Sequence, residues 1–337
     1  VQLEYSLAND AFEELNQYTL GIKNVIAASA ASTFVIHNER IVNEWYAGHH
    51  DHDRHDYRGN RRLVDAESRF HIASTRKTYL GFAISLALYE GKLNSVNDYV
   101  TEYLTELDKS LLGHTTIRHL LTHTHGLQGQ HKRLFPPGTD WKYNNTGVNL
   151  LIRIIQQVFG QPLAQVLEER VFKPYGFIET GWLKENNEQL VWLNEDGMGD
   201  QSAEANLYVS TRELAYWGYI HLTKGKFKGE QVIPSSVFEQ AVSIATPSDL
   251  DEMLPRNGFF WWVQDRPRPL SELGHQLPVG SYQSLGLYGN ALLVIPEYNV
   301  VAVRMYNQTA PNPPGYDYIK DIQHFGDMVC RYVTSSQ

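Results

Sequence analysis

The stretch Tyr79-Leu80-Gly81-Phe82-Ala83-Ile84-Ser85-Leu86-Ala87-Leu88-Tyr89 is apolar on every face that a helix would present. A helix that is hydrophobic all round has to be enclosed by protein. The chain must therefore build a core around this segment, and Gly91 supplies a stop signal just beyond it. At its head stands Ser74-Thr75-Arg76-Lys77, the one place where a lysine follows a serine by three positions. Three residues is nearly one helical turn, so the amine and the hydroxyl share a face. A serine hydroxyl is a poor nucleophile until a base takes its proton, and a lysine at the rim of a buried helix is a candidate base. The plain alternative is a serine cap beside a solvated lysine, although a lysine there opposes the helix dipole slightly.

A chain of 337 residues can form two packed lobes. Its net charge of −9 argues against a nucleic-acid surface. No apolar run reaches 18 residues, so no membrane span is expected. The single cysteine, Cys330, excludes an internal disulfide or a thiolate metal cluster and reads as core filling. Seven Trp, 20 Tyr and 13 Phe suit a cleft for a small organic ligand. The sequence starts at Val1 without an apolar leader, which fits a cytoplasmic protein or an exported one whose signal peptide has been removed.

Two short runs, residues 33–37 and 41–45 around Asn38-Glu39-Arg40, read as a β-hairpin. Helical patterning then dominates to about residue 245. Val148, Leu151, Ile152, Ile155, Val158 and Phe159 keep helical spacing up to Gly160, and Pro162 suits the first turn of a following helix. Ser210 with Glu213 and Ser236 with Glu239 have the spacing of capping boxes. Strand signals return at residues 259–263, 291–295 and 300–304, before an amphipathic helix carrying Ile319, Ile322, Phe325, Met328 and Val329. Strands at both ends with helices between predict an α+β fold. One lobe is assembled from 1–70 and 255–337, a mainly helical lobe spans 71–254, and the active site lies at the seam.

Two further segments carry chemistry. Tyr143-Asn144-Asn145 sits between a turn rich in breakers, Phe135-Pro136-Pro137-Gly138-Thr139, and a helix start. A phenol there can relay a proton and an amide can fix a substrate carbonyl. Tyr288-Gly289-Asn290 repeats the Tyr-x-Asn pattern but lacks that loop context. The run Tyr282 to Asn290, with Gly286 and Gly289 ahead of an apolar strand, marks a place where backbone approaches a ligand or another segment closely. An edge strand there could offer an N–H to a developing oxyanion; glycines at a bulge are the alternative.

Taken together, these segments resemble the superfamily of serine β-lactamases, penicillin-binding proteins and related esterases, the class C β-lactamase-like hydrolases. Ser-x-x-Lys, Tyr-x-Asn and a glycine-bearing strand occur in the family's order, and the likeness covers most of the chain. Residues 117–127 look like the family's "IRHLLTHTSGL", the segment from Phe135 to Asn145 like its "PPGT…YSN", and 171–177 like its "IFxPLGM". The resemblance implies a five-stranded antiparallel sheet flanked by helices beside a mostly helical lobe. It implies Ser74 as the acyl-accepting nucleophile, Lys77 as its base, Tyr143 as proton relay and Asn145 as a substrate-positioning amide. Backbone N–H groups of Ser74 and Ser284 would form the oxyanion hole, with Gly286 in the same substrate-binding strand.

The departures bear on substrate. Family members acting on β-lactams or D-Ala-D-Ala peptides carry Lys-Thr-Gly or His-Thr-Gly on the third-motif strand, which helps bind a carboxylate. Counting back from Gly289, this chain offers Ser281-Tyr282-Gln283, without a cation. The expectation is a serine hydrolase forming an acyl-enzyme on a small ester, amide or peptide substrate. The alternatives are a D-Ala-D-Ala carboxypeptidase or β-lactamase, and a sensor that acylates without turnover. His125 stands where the family has Ser, and Ala205-Asn206 where it often has Gly-Gly. At their ordinary pKa values of about 10.4 and 10, Lys77 and Tyr143 are both almost wholly protonated at neutral pH, so either needs a shift to act as base. The segment His49–Asp56 is rich in metal-ligand side chains but matches no zinc spacing and reads as a polar insertion. No metal, cofactor or nucleic-acid partner is expected.

Overall fold

A computed structural model describes residues 2–7, 10–51, 62–129, 131–183, 185, 187–192, 204–287, 289–308 and 310–335. The His/Asp-rich insertion from His52 to Asp56 lies outside the described residues. The N-terminal elements are β1 (Glu4–Tyr5), α1 (Glu13–Val25), β2 (Ala30–His37) and β3 (Arg40–Gly48). The middle holds β4 (Arg69–His71), a 3-10 turn over Ala73–Arg76, α2 (Lys77–Tyr89), α3 (Ile117–Leu121) and α4 (Asn145–Phe159). It continues with β5 (Thr180–Trp182), β6 (Leu207–Ser210), α5 (Thr211–Leu222) and α6 (Ser235–Val242). The C-terminal part contributes β7 (Trp262–Val263), β8 (Tyr282–Gly286), β9 (Asn290–Ile295), β10 (Val300–Tyr306) and α7 (Tyr318–Thr334).

The main sheet runs β1-β3-β2-β10-β9-β8-β7. Its five inner strands are antiparallel throughout, as the resemblance implies. The two additions, parallel β1 and antiparallel β7, are two residues each. N-terminal β2 and C-terminal β10 pair at the centre, from Ala31 opposite Tyr306 to His37 opposite Val300. Alternation along β9 assigns the faces: Leu292 and Val294 belong to a core shared with the helical part, Leu293 and Ile295 to a core under α7. Both faces are covered, which explains why β9 and β10 read as continuous apolar runs. On the first face α5 crosses so closely that a Cβ on Gly218 would come within 2.8 Å of Leu292 and Val301.

Helix α2 is buried from Lys77 to Ala87, as its composition requires. Trp217 of α5 stacks on Tyr79 at 4.1 Å, and its Nε1 donates to Thr78 Oγ1 at 3.0 Å. Helix α4 ends at Gly160 in the left-handed conformation, and Pro162 caps the next helix from just outside it. Three local expectations change. The run at 259–263 pairs only over β7, because Phe260 takes φ +67°, which breaks an extended strand. Ser210 caps α5, but the Glu213 carboxylate turns away to accept from the N–H groups of Ile178 and Glu179 and from Thr180 Oγ1, so no reciprocal box forms. Helix α6 begins at Ser235 after Pro234 and has no side-chain cap from Ser236.

Candidate active site

Strand β4 delivers the chain to the tight turn that bears Ser74. Ala73 takes φ +48°, an uncommon conformation for a residue with a Cβ, so the turn must be held by its surroundings. His71 Nδ1 accepts from the Ala73 N–H at 3.0 Å, while its Nε2 lies 2.9 Å from Asn206 Oδ1. Asn290, at the start of β9, donates to the His71 carbonyl at 2.9 Å and accepts from the Tyr306 N–H at 3.0 Å. The end of β4 is thereby tied to the centre of the main sheet.

Lys77 is the first residue of α2 and is buried, with Nζ donating to Ser74 Oγ at 3.0 Å. The Tyr143 hydroxyl donates to Ser74 Oγ at 2.6 Å. Lys77 Nζ also hydrogen-bonds the Tyr143 oxygen and lies 4.7 Å from its ring centroid. Alcohol, amine and phenol, 66 residues apart between Lys77 and Tyr143, thus meet at one point. Ser74 and Tyr143 are half-buried, which leaves them open to a ligand. Burial, with help from the adjacent Arg76 charge, drives the Lys77 ammonium well below its ordinary pKa. Burial raises the Tyr143 phenol, against the opposing pull of the Ser74 hydrogen bond and Arg76.

Tyr143 is clamped by His123. The His123 carbonyl accepts from Lys142 N–H at 2.9 Å and its Nδ1 from Asn144 N–H at 3.4 Å, one residue either side of the phenol. The imidazole also lies against the Tyr143 ring, centroids 4.5 Å apart. His123 falls beyond the end of α3 with φ +58°, so it shares no helical face with His119. His119 instead completes a capping box with Thr116. Asn144 caps α4 by accepting from Thr146 N–H at 2.8 Å, leaving Asn145 exposed as the first helical residue.

On the third segment, β7 pairs only with Tyr282 and Gln283, so Ser284, Leu285 and Gly286 run on past the end of the outer strand. Gly286 meets the turn that bears Ser74 directly: a Cβ there would lie 2.5 Å from the Ile72 carbonyl and 3.3 Å from Thr75 Oγ1. Ser284 is buried two residues earlier on the same strand. Residues 281–283 bring no cation, as the sequence indicates.

The sequence does not single out His71; it reads His123 as a histidine satisfied at a helix–loop junction, where the structure buries it, and it assigns Asn290 no role. The signal for Asn290 was the second Tyr-x-Asn, whose asparagine braces the serine turn. No group of three or more His, Cys, Asp or Glu among the described residues is placed to hold a metal. Nor is any described helix long and apolar enough to cross a membrane.

Comparison with known proteins bears on the same arrangement. An uncharacterized protein of Alkalihalophilus pseudofirmus is 41% identical over 334 residues, covering 93% of this chain and 96% of that protein. Among solved structures, a class C beta-lactamase in complex with cefoxitin superposes with TM-score 0.75 at 16% identity, covering 97% of this chain and 99% of that one. EstCE1, a hydrolase with promiscuous acyltransferase activity, gives TM-score 0.73 at 17% identity, covering 94% and 98%. The Beta-lactamase family profile matches residues 22–324, nearly the whole described fold, and the chain belongs to that family of serine-hydrolase-like proteins.

Proposed function

We propose that the protein is a serine hydrolase that cleaves small esters or amides through an acyl-enzyme at the seam between the main sheet and the helical part. The observation that carries this reading is the convergence of Ser74, Lys77 and Tyr143 within hydrogen-bond reach. Lys77 is the base, because burial favours its neutral form whereas burial disfavours the phenolate of Tyr143. Ser74 Oγ bonds to the substrate carbonyl carbon as its proton passes to Lys77, giving a tetrahedral oxyanion. Backbone N–H groups of Ser74 and Ser284 stabilise that charge, and Asn145 orients the carbonyl. The bond to the leaving group breaks as Tyr143 hands it a proton, replaced from Lys77. Water then attacks the acyl-serine, giving up a proton to the same pair, and Ser74 is released.

The substrate class follows from what residues 281–283 lack. Without a cation there, a substrate carboxylate forgoes a charge-assisted contact worth about 1.5–3 kcal/mol, or roughly 10–150-fold in affinity. Esters and amides without that carboxylate are therefore preferred over β-lactams and D-Ala-D-Ala peptides. The test is p-nitrophenyl butyrate hydrolysis by wild type and Ser74→Ala, with mass spectrometry of the Ser74 peptide after fluorophosphonate and after penicillin. Turnover should vanish in Ser74→Ala, and fluorophosphonate should mark Ser74. Hydrolysis surviving in that variant, or no adduct at Ser74, overturns the assignment.

A further inference from the structure

Tyr143 stands on a loop, and a loop holds a side chain less precisely than a helix or strand does. Its clamp, His123, lies beyond the end of α3 and needs support of its own. Besides Tyr143, the His123 ring meets two aromatic neighbours, Phe260 at 5.5 Å and Trp141 at 5.7 Å between centroids. One short segment just before β7, residues 257–260, holds both. The Phe260 N–H donates to the carbonyl of Leu121, the last residue of α3, at 3.3 Å. Trp141, two positions before Tyr143, donates from Nε1 to Asn257 Oδ1 at 2.8 Å. The same segment touches the helix that bears Lys77. Gly81 lies one turn past Lys77 on α2, and a Cβ there would collide with the Phe259 carbonyl oxygen. Residues 257–260 thus abut the supports of both the amine and the phenol.

The segment is fixed in its own right. Asn257 is fully buried; its N–H donates to Thr246 Oγ1 at 2.7 Å and its Nδ2 to the Trp261 carbonyl at 3.2 Å. Its carbonyl accepts from the Ala245 N–H at 2.7 Å, and the Phe259 N–H donates to the Ala241 carbonyl of α6 at 2.8 Å. Phe260 takes φ +67°, a conformation that glycine adopts freely and a bulky side chain does not. Such strain persists where the surroundings over-determine it, and it clusters at active sites. Here the side chain that makes the conformation costly is the one lying against His123. We propose that Asn257 and Phe260 are positioning residues that fix where the Tyr143 hydroxyl stands relative to Ser74 and Lys77. Their catalytic consequence rests on the hydrolase reading, in which Tyr143 protonates the leaving group.

Dependence on the leaving group separates positioning from plain packing. A p-nitrophenolate departs without a proton and an ethoxide does not, so a displaced phenol harms ethyl butyrate more than p-nitrophenyl butyrate. Trp141→Phe and Asn257→Leu remove opposite ends of one bond, and Phe260→Leu trims the contact with His123. Each should lower kcat/KM by at least about 10-fold on the ethyl ester and by no more than about 2-fold on the p-nitrophenyl ester. The second rate also gauges the correctly folded fraction. Trp141→Phe/Asn257→Leu should lose no more than Asn257→Leu alone, because the bond is already broken. Equal losses on the two esters, no loss on either, or losses that multiply in the double variant overturn the proposal. A crystal structure of Trp141→Phe should place the Tyr143 hydroxyl more than about 3.5 Å from Ser74 Oγ, and an unmoved hydroxyl overturns the proposal as well. That measurement needs no turnover: a wild type inactive on both esters counts against the hydrolase reading, while the positioning claim is decided by the crystal structure.

Discussion

Lys77 and Tyr143 share one serine hydroxyl yet are pushed in opposite directions, the ammonium down and the phenol up. With Lys77 as base, lowering the pH returns its proton and removes activity. The kcat/KM for a neutral ester should therefore rise with pH across a value below the usual lysine range of about 10.4. A rising limb centred on the ordinary lysine value in a full pH–rate profile would contradict this. Lys77→Met should lower kcat/KM by about 10²–10⁴-fold. His123 is a positioning residue for Tyr143, so His123→Ala should lower kcat by about 10-fold and leave KM nearly unchanged. His123→Asn, which tolerates positive φ and still offers an acceptor, should recover part of the loss. If His123→Ala changes only stability, the clamp has no role in positioning. The meeting of Ser74, Lys77 and Tyr143 was legible from Ser-x-x-Lys at the head of an apolar helix and from the order of the segments that follow it. The bracing by His123 and Asn290 was not, because they act on backbone groups distant in sequence, which leave no local pattern; that by His71 was not, because its bond to the Ala73 N–H depends on the positive φ of the turn and its other partner, Asn206, lies 135 residues on.

Among the elements, β8 meets the turn that bears Ser74 at close range. Gly286→Ala must push the two apart, since the new Cβ would sit 2.5 Å from a backbone oxygen that cannot swing away. We expect a loss of at least about 10-fold in kcat/KM and about 1–3 kcal/mol in stability, read by ester assay and urea unfolding. Gly160→Ala is the control: its site is open but has φ +69°, so stability should fall while turnover holds. Equal effects on turnover would remove Gly286 from the site. Strand and helix identities were largely readable because burial on both faces or all round leaves continuous apolar runs. Their ends were not. The shortening of the 259–263 strand depends on one left-handed residue, Phe260, and the diversion of Glu213 depends on three donors from β5 and the turn before it.

At the scale of the whole molecule, a buried ion pair fastens α7 to the middle of the sheet. Arg304 of β10 makes two bonds to Asp321, at 2.9 and 3.0 Å, and both side chains are at most 3% exposed. Tyr18 of α1 and Tyr316 donate to the same carboxylate. Burial pushes the Asp321 carboxyl up, but Arg304 and these hydroxyls hold it below its ordinary value. Asp321→Asn leaves a buried guanidinium uncompensated and should cost about 3–5 kcal/mol near neutral pH. A depressed carboxyl stabilises the fold above its unfolded pKa of about 3.9 and loses that contribution as pH falls through the folded value. The gap between wild type and variant should therefore narrow below about pH 4, as urea midpoints across pH would reveal. A gap independent of pH would mean that the pair is not what stabilises the joint.

The pairing of β2 with β10 also sets a timetable for biosynthesis. The β2–β3 hairpin leaves the ribosome early, but its inner edge stays unsealed until residues 300–306 are made. Asn290, which braces the serine turn, arrives in the same late stretch. Nascent chains arrested before residue 290 should ignore a fluorophosphonate, and labelling should begin only once residues 290–306 have emerged. Under the proposed chemistry, Ser74 stays unreactive while the polypeptide is still being threaded past other proteins.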